Sequence, residues 1–113
     1  MANKYFRDHL VPDASTETDL YTVPDITTAV LRSLRVTNAN ASETSITVSE
    51  YDSGGSQRYL LKDYPLSPDG TIDVFNGVPC ILEAGDKITV ESSVATVHFY
   101  LSYLEVDRTQ VSF

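Results

Sequence analysis

The sequence predicts an all-β protein, an antiparallel two-sheet sandwich of about eight short strands with a jelly-roll-like arrangement. Three observations carry that expectation. Valine, isoleucine and threonine number 12, 5 and 12 of the 113 residues, against 7 alanines, and β-branched side chains suit a pleated, half-buried surface. Turn signals recur about every 8 to 12 residues, which is the spacing of a sandwich. No window carries a helical period, and nothing repeats at a fixed interval as a solenoid or propeller would.

The elements follow in order. Residues 1–15 read as an N-terminal arm, because Lys4, Tyr5, Phe6, Arg7, Asp8 and His9 mix charge and aromatics without alternation. Pro12-Asp13-Ala14-Ser15 then breaks the chain. Tyr5, Phe6, Leu10 and Val11 would give such an arm apolar anchors. Residues 16–106 read as the sandwich domain and 107–113 as a polar tail ending in Val111 and Phe113. Thr18–Val23 is a short strand stopped by Pro24. Ala29–Asn38 is a long one, with Val30, Leu34 and Val36 on one face and Arg32 interrupting it. Thr44–Tyr51 alternates, with Ile46 and Val48 pointing one way. Asp52-Ser53-Gly54-Gly55-Ser56 connects it to Gln57–Asp63 as a hairpin. Thr71–Phe75 and Cys80–Leu82 are short pieces. Lys87–Ser92 carries Ile88 and Val90 inward. Ala95–Val106 places Val97, Phe99, Leu101 and Tyr103 on one face and His98, Tyr100, Ser102 and Leu104 on the other.

Charge narrows the function classes. Eight Lys and Arg against sixteen Asp and Glu leave a net charge of -8. Nucleic acid and anionic membranes are recognised through local excess Lys and Arg, so neither is expected as a partner. No apolar run reaches the roughly 18 to 20 residues of a membrane helix. The N-terminal residues lack the apolar core of a secretory signal, so synthesis in a cytoplasm is expected. Cys80 is the single cysteine, which leaves no internal disulfide and no cysteine-based zinc site.

The catalytic inventory is thin, and no catalytic, metal or cofactor residues are assigned. His9 and His98 are the two histidines. No G-x-S-x-G elbow occurs, and Cys80 beside Pro79 and Ile81 reads as a small buried hydrophobe. Asp69-Gly70-Thr71-Ile72-Asp73 and Glu83-Ala84-Gly85-Asp86 read as turns, since neither has the ligand spacing of a calcium loop. Gly54-Gly55 lacks the Lys and Ser/Thr of a phosphate loop. Arg32, Arg35 and Arg58 could meet on one sheet face, and are expected to pair with Glu50 or Asp63 across strands.

Several segments carry a family likeness. Leu20-Tyr21-Thr22-Val23-Pro24, the run from Thr27 to Asn38, the segment Leu82-Glu83-Ala84-Gly85-Asp86-Lys87-Ile88-Thr89-Val90 and the closing Leu101 to Val106 resemble small virion structural proteins of tailed bacteriophages. That group usually has a glycine after the proline, where this chain has Asp25-Ile26. The likeness spans Leu20 to Val106 and omits the first residues. It implies a non-enzymatic virion role: a capsid decoration (cement) protein binding the shell, or a neck, tail or fibre adaptor or host-binding module. Partners would be the phage major capsid protein or other virion proteins, with assembly as a homo-oligomer, trimer or dimer. The location would be the virion, with the capsid surface favoured. Candidate interface residues are Tyr5, Phe6, Arg7, His9, Leu10, Val11, Val111 and Phe113. A third expectation is a carbohydrate-binding sandwich with Tyr51, Tyr59, Tyr64 and Tyr100 as a stacking platform. An arm would also be removable: deleting residues 2–15 should leave the sandwich folded.

Overall fold

A computed structural model describes residues 3–107. Nine strands form two antiparallel sheets, and no described residue is helical. The strands are β1 (Asn3–Leu10), β2 (Thr18–Thr22), β3 (Thr27–Asn38), β4 (Thr44–Tyr51), β5 (Gln57–Leu66), β6 (Thr71–Asp73), β7 (Cys80–Leu82), β8 (Lys87–Ser92) and β9 (Val97–Asp107). One sheet has the order β1-β9-β3-β6, with β7 also pairing β3, and the other has the order β2-β8-β4-β5.

The pairing defines the topology. Strands β6 and β7 pair different parts of β3, at Arg35–Thr37 and Ala29–Leu31, so together they occupy one strand position. The first strand then pairs the last, the second pairs the next to last, β3 pairs β6/β7, and β4 with β5 closes the hairpin. A long hairpin folded over on itself in this way is a jelly roll.

The core lies between the sheets and follows the period of two. Val97, Phe99, Leu101 and Tyr103 of β9 face inward with Ile88 and Val90 of β8 and Ile46 and Val48 of β4. Each of these is one residue out of phase with a solvent-facing neighbour, as pleating requires. The β3 face assignment needs one correction. Ala29, Leu31, Leu34 and Val36 are its buried apolar residues, and Val30 lies on the outer side. A bulge between Leu31 and Ser33 inserts Arg32 as the extra residue. Such an insertion shifts the alternation by one, which is why a single alternation through the segment misplaces Val30.

The N-terminal segment also differs from the expectation. Asn3–Leu10 pairs β9 residue for residue, from Asn3 opposite Val106 to Leu10 opposite Phe99. It is an edge strand of the sheet, so removing residues 2–15 would remove a strand of the jelly roll. It does not alternate visibly because an edge strand half-covered on its inner side needs few apolar residues. Tyr5 is 73% and Phe6 40% exposed even though the strand is fully paired. Val111 and Phe113 lie outside the described residues.

Asp25-Ile26 makes the β2–β3 turn. Ile26 has φ of 56°, a left-handed backbone that glycine adopts freely and a β-branched residue adopts under strain. The left-handed residue is Ile26, one position beyond Asp25, which follows Pro24 where the resembled group carries glycine.

Candidate functional site

The expected chemistry-bearing residues are dispersed. Cys80 sits opposite Leu31 on the inner side of its sheet, and burial pushes its thiol up from the ordinary value. His98 projects from the outer side, opposite Thr37, so the two form no pair. Among the described residues, no cluster of three or more His, Cys, Asp or Glu is placed to hold a metal ion. The two suspected loops are turns. Gly70 N–H donates to Ser67 O at 2.9 Å, and Asp73 Oδ1 accepts from the Leu34 and Phe75 N–H groups. Asp86 Oδ2 accepts from Glu83 N–H at 2.8 Å.

The arginines do not converge. Arg58 belongs to the four-stranded sheet and pairs with Glu50 at 3.3 Å and Asp52 at 3.7 Å. Arg32 and Arg35 belong to the other sheet. The tyrosine platform is split for the same reason. Tyr51, Tyr59 and Tyr64 lie on β4 and β5, while Tyr100 lies on β9. Tyr51 is already engaged: its hydroxyl donates to Glu17 at 2.8 Å and Lys87 sits 5.1 Å above its ring.

Three surfaces result. The outer face of the four-stranded sheet is polar. Glu17 Oε2 accepts hydroxyls from Tyr51 and Thr89, Gln57 donates to Ser49, and Lys87 pairs with Asp19 at 3.2 Å. Glu17, Ser49, Gln57 and Thr89 border a shallow groove of about 250 Å3 that also takes in Thr47, Tyr59, Lys62, Asp63 and Glu91.

The second is an aromatic end of the sandwich, where the exposed Phe6 covers the buried Tyr103 and Tyr21. Phe6 stacks on Tyr103 at 5.6 Å, and Tyr103 meets Tyr21 at 4.2 Å. Tyr21 donates its hydroxyl to Glu105 at 2.6 Å and Tyr103 donates to Asp8 at 2.9 Å. Burial first, and the accepting carboxylate second, hold both hydroxyls protonated well above the ordinary tyrosine range. Unfolded tyrosines ionise near pH 10, about where the folded pair still keeps its protons. The unfolded chain therefore sheds protons first, and stability falls as pH rises past about 10 while staying level below about 9. A Tm series across that window is expected to drop only at its alkaline end, and Tyr21→Phe should flatten the drop. A wild-type Tm that stays level through the alkaline range would contradict this.

The third surface is the outer face of the five-stranded sheet, where most of the candidate interface residues lie. Tyr5, Arg7 and His9 point outward there, in register with the outward residues Leu104, Ser102 and Tyr100. Phe6 and Leu10 belong to the inner side of the same strand, and Val11 follows it, exposed. Tyr5, Arg7, Arg32 and Ser102 border a hollow of about 540 Å3, beside Phe6 and Tyr103. The bulge carries Arg32 there, so three of the eight Lys and Arg residues meet on this face. Sequence reading puts Leu104 on the face of His98, Tyr100 and Ser102, gives Ile81 no face and assigns Val30 to the opposite one. They align with Tyr5 only through pairings between strands far apart in the chain.

No protein-family model matches the chain, and no curated protein matches it in sequence. Solved structures match it by shape. A chain from a structure reported as Bacillus endospore appendages forming disulfide-linked pili superposes with a TM-score of 0.59 at 9% identity, over 96% of this chain and 88% of that one. A chain of infectious bursal disease virus, Gx strain, gives a TM-score of 0.56 at 10% identity, over 99% of this chain and 35% of that one. A pentameric capsid protein isolated from metagenomic phage sequences is 22% identical over 89% of this chain and 60% of that one, with a TM-score of 0.39. The matched structures are thus viral and pilus proteins, and this chain spans about a third of the viral one. At these identities the first two show a shared fold.

Proposed function

We infer that this chain is a non-enzymatic structural protein of a tailed-bacteriophage virion, a decoration protein bound to the outer surface of the capsid. The observation that carries the reading is a jelly roll whose five-stranded sheet leaves an apolar and basic outer face open to solvent, while the candidate catalytic groups stand apart. Surface of that kind marks an interaction site. The sequence resemblance from Leu20 to Val106 supports the virion setting, and the viral and pilus folds that superpose on the chain agree with a building-block role. The carbohydrate-binding reading is weaker, because its four tyrosines lie on two different sheets.

The net charge of -8 suits an exterior position away from packaged genome and keeps the unassembled chain soluble by self-repulsion. Copy number tests the position. Quantitative mass spectrometry of purified particles of the encoding phage is expected to find hundreds of copies per particle. About a dozen copies would move the protein to the neck or tail, where rings of low symmetry number are the rule. Its absence from the particles would overturn the virion reading altogether.

A further inference from the structure

The registers of the five-stranded sheet align side chains into rows across its outer face. One row reads Tyr5, Leu104, Val30, Ile81, from β1 through β9 and β3 to β7. All four are apolar or aromatic; Tyr5 is 73% and Ile81 56% exposed, with Val30 and Leu104 half-buried between them. A second row, four residues further along β9, reads His9, Tyr100, Arg35, Asp73. Thr37 and Thr71, hydroxyl to hydroxyl at 3.1 Å, confirm that β3 and β6 present these positions on one side.

We propose that this face is the interface of a two-fold dimer, its occupant being a second copy of the same chain. The two rows are self-complementary when reversed. A two-fold axis lying in the interface, parallel to the strands and between β9 and β3, reverses strand order and leaves each row in place. Tyr5 then packs on the partner's Ile81, and Leu104 on the partner's Val30. In the second row His9 meets the partner's Asp73, and Arg35 lies over the ring of the partner's Tyr100. Each contact occurs twice, as an isologous interface demands. Asp73 can take part because its backbone bonds use only Oδ1.

The area is sufficient. The four strand positions hold 8, 11, 12 and 6 residues, which at about 3.3 Å rise and about 4.8 Å spacing present roughly 590 Å2 in projection. A stable interface needs about 800 Å2 of accessible surface per partner, and side-chain relief makes accessible area larger than projected area. The opposite sheet offers no such row. On its outer face Glu17, Ser49, Gln57, Tyr51 and Thr89 are bonded to one another, and Lys62 lies over the exposed Tyr59 ring. The proposal rests on the same face that the virion reading takes as an interaction surface and assigns it to a second copy; oligomeric state tests the one, and copy number per particle tests the other.

Native mass spectrometry and sedimentation equilibrium of the purified chain test it. The expected species is twice the 12.5 kDa chain. Ile81→Asp and Tyr5→Asp each place a charge in the apolar row, at exposed positions where the monomer tolerates it. Each is expected to raise the dimer Kd about a hundredfold, and Arg35→Ala about fivefold. Tyr59→Asp, on the other sheet and 51% exposed, should leave Kd unchanged. Circular dichroism of each variant controls for folding. A wild-type chain that remains monomeric at micromolar concentration, or forms a trimer or larger ring, overturns the proposal. So does a Kd for both aspartate variants within about twofold of wild type, or a dimer broken by Tyr59→Asp alone.

Discussion

Replacing Phe99 by alanine is expected to lower the unfolding free energy by about 3–5 kcal/mol. Phe99 is fully buried and heads the largest enclosed side chains. It sits on the inner face of β9, between Leu10 of β1 and Val36 of β3, the two strands that β9 pairs. Removing its ring takes away its transfer free energy and leaves a void that two hydrogen-bonded sheets cannot close. A domain of this size has about 5–15 kcal/mol of net stability, so the loss is a large part of the total. Urea denaturation measures it. His98→Ala is the paired control, one residue before it, pointing to the outer face and outside both rows. It should lose under about 1 kcal/mol, as exposed substitutions do. Similar losses at both positions would contradict the assignment of inner and outer faces.

Replacing Asn38 by alanine is expected to cost about 2–4 kcal/mol, although a polar residue in a turn-like sequence is usually tolerant. Asn38 is fully buried. Its amide nitrogen donates to Ser42 O at 2.9 Å, Ser67 O at 3.1 Å and Leu66 O at 3.2 Å, and its Oδ1 accepts from Asn40 N–H at 3.0 Å. One side chain therefore ties the β3–β4 turn to the end of β5. Alanine leaves three carbonyls without their shared donor, in a place that water does not replace easily. Asn38→Asp keeps the size and the acceptor and removes the donors, so it isolates their contribution. It should be at least as unstable as the alanine variant at neutral pH, where a buried carboxylate would face carbonyl oxygens. A midpoint unchanged in both variants would show that the amide bonds do not contribute.

Asn38 illustrates how the sequence can be read and where it stops. It opens the cluster Asn38-Ala39-Asn40-Ala41-Ser42, which local chemistry marks as a turn, and a turn is found there. Its burial comes from Leu66 and Ser67, nearly thirty residues away, which no local pattern reports. The regular strands were legible for the opposite reason. Thr44–Tyr51, Cys80–Leu82 and Lys87–Ser92 have the limits that their alternation and flanking turns predict. Each of their side chains faces in or out by a period that the backbone itself imposes.

The candidate surface shows the same division. Tyr5, Arg7 and His9 were visible as an apolar and charged group without a place, and Leu104 and Ile81 as members of two unrelated strands. Pairing β1 with β9 and β7 with β3 set them side by side.

By itself, then, the sequence determined the class of fold, the inward residues of the regular strands, the turns and the charge. Those follow from interactions within a few residues, where composition and period suffice. Only the tertiary structure decided that Asn3–Leu10 is a strand, that Arg32 is a bulge, and that the rows of the five-stranded sheet exist. The reason is physical: ladder pairing joins residues as far apart in the chain as Asn3 and Val106. Its register depends on which faces the whole sandwich buries together.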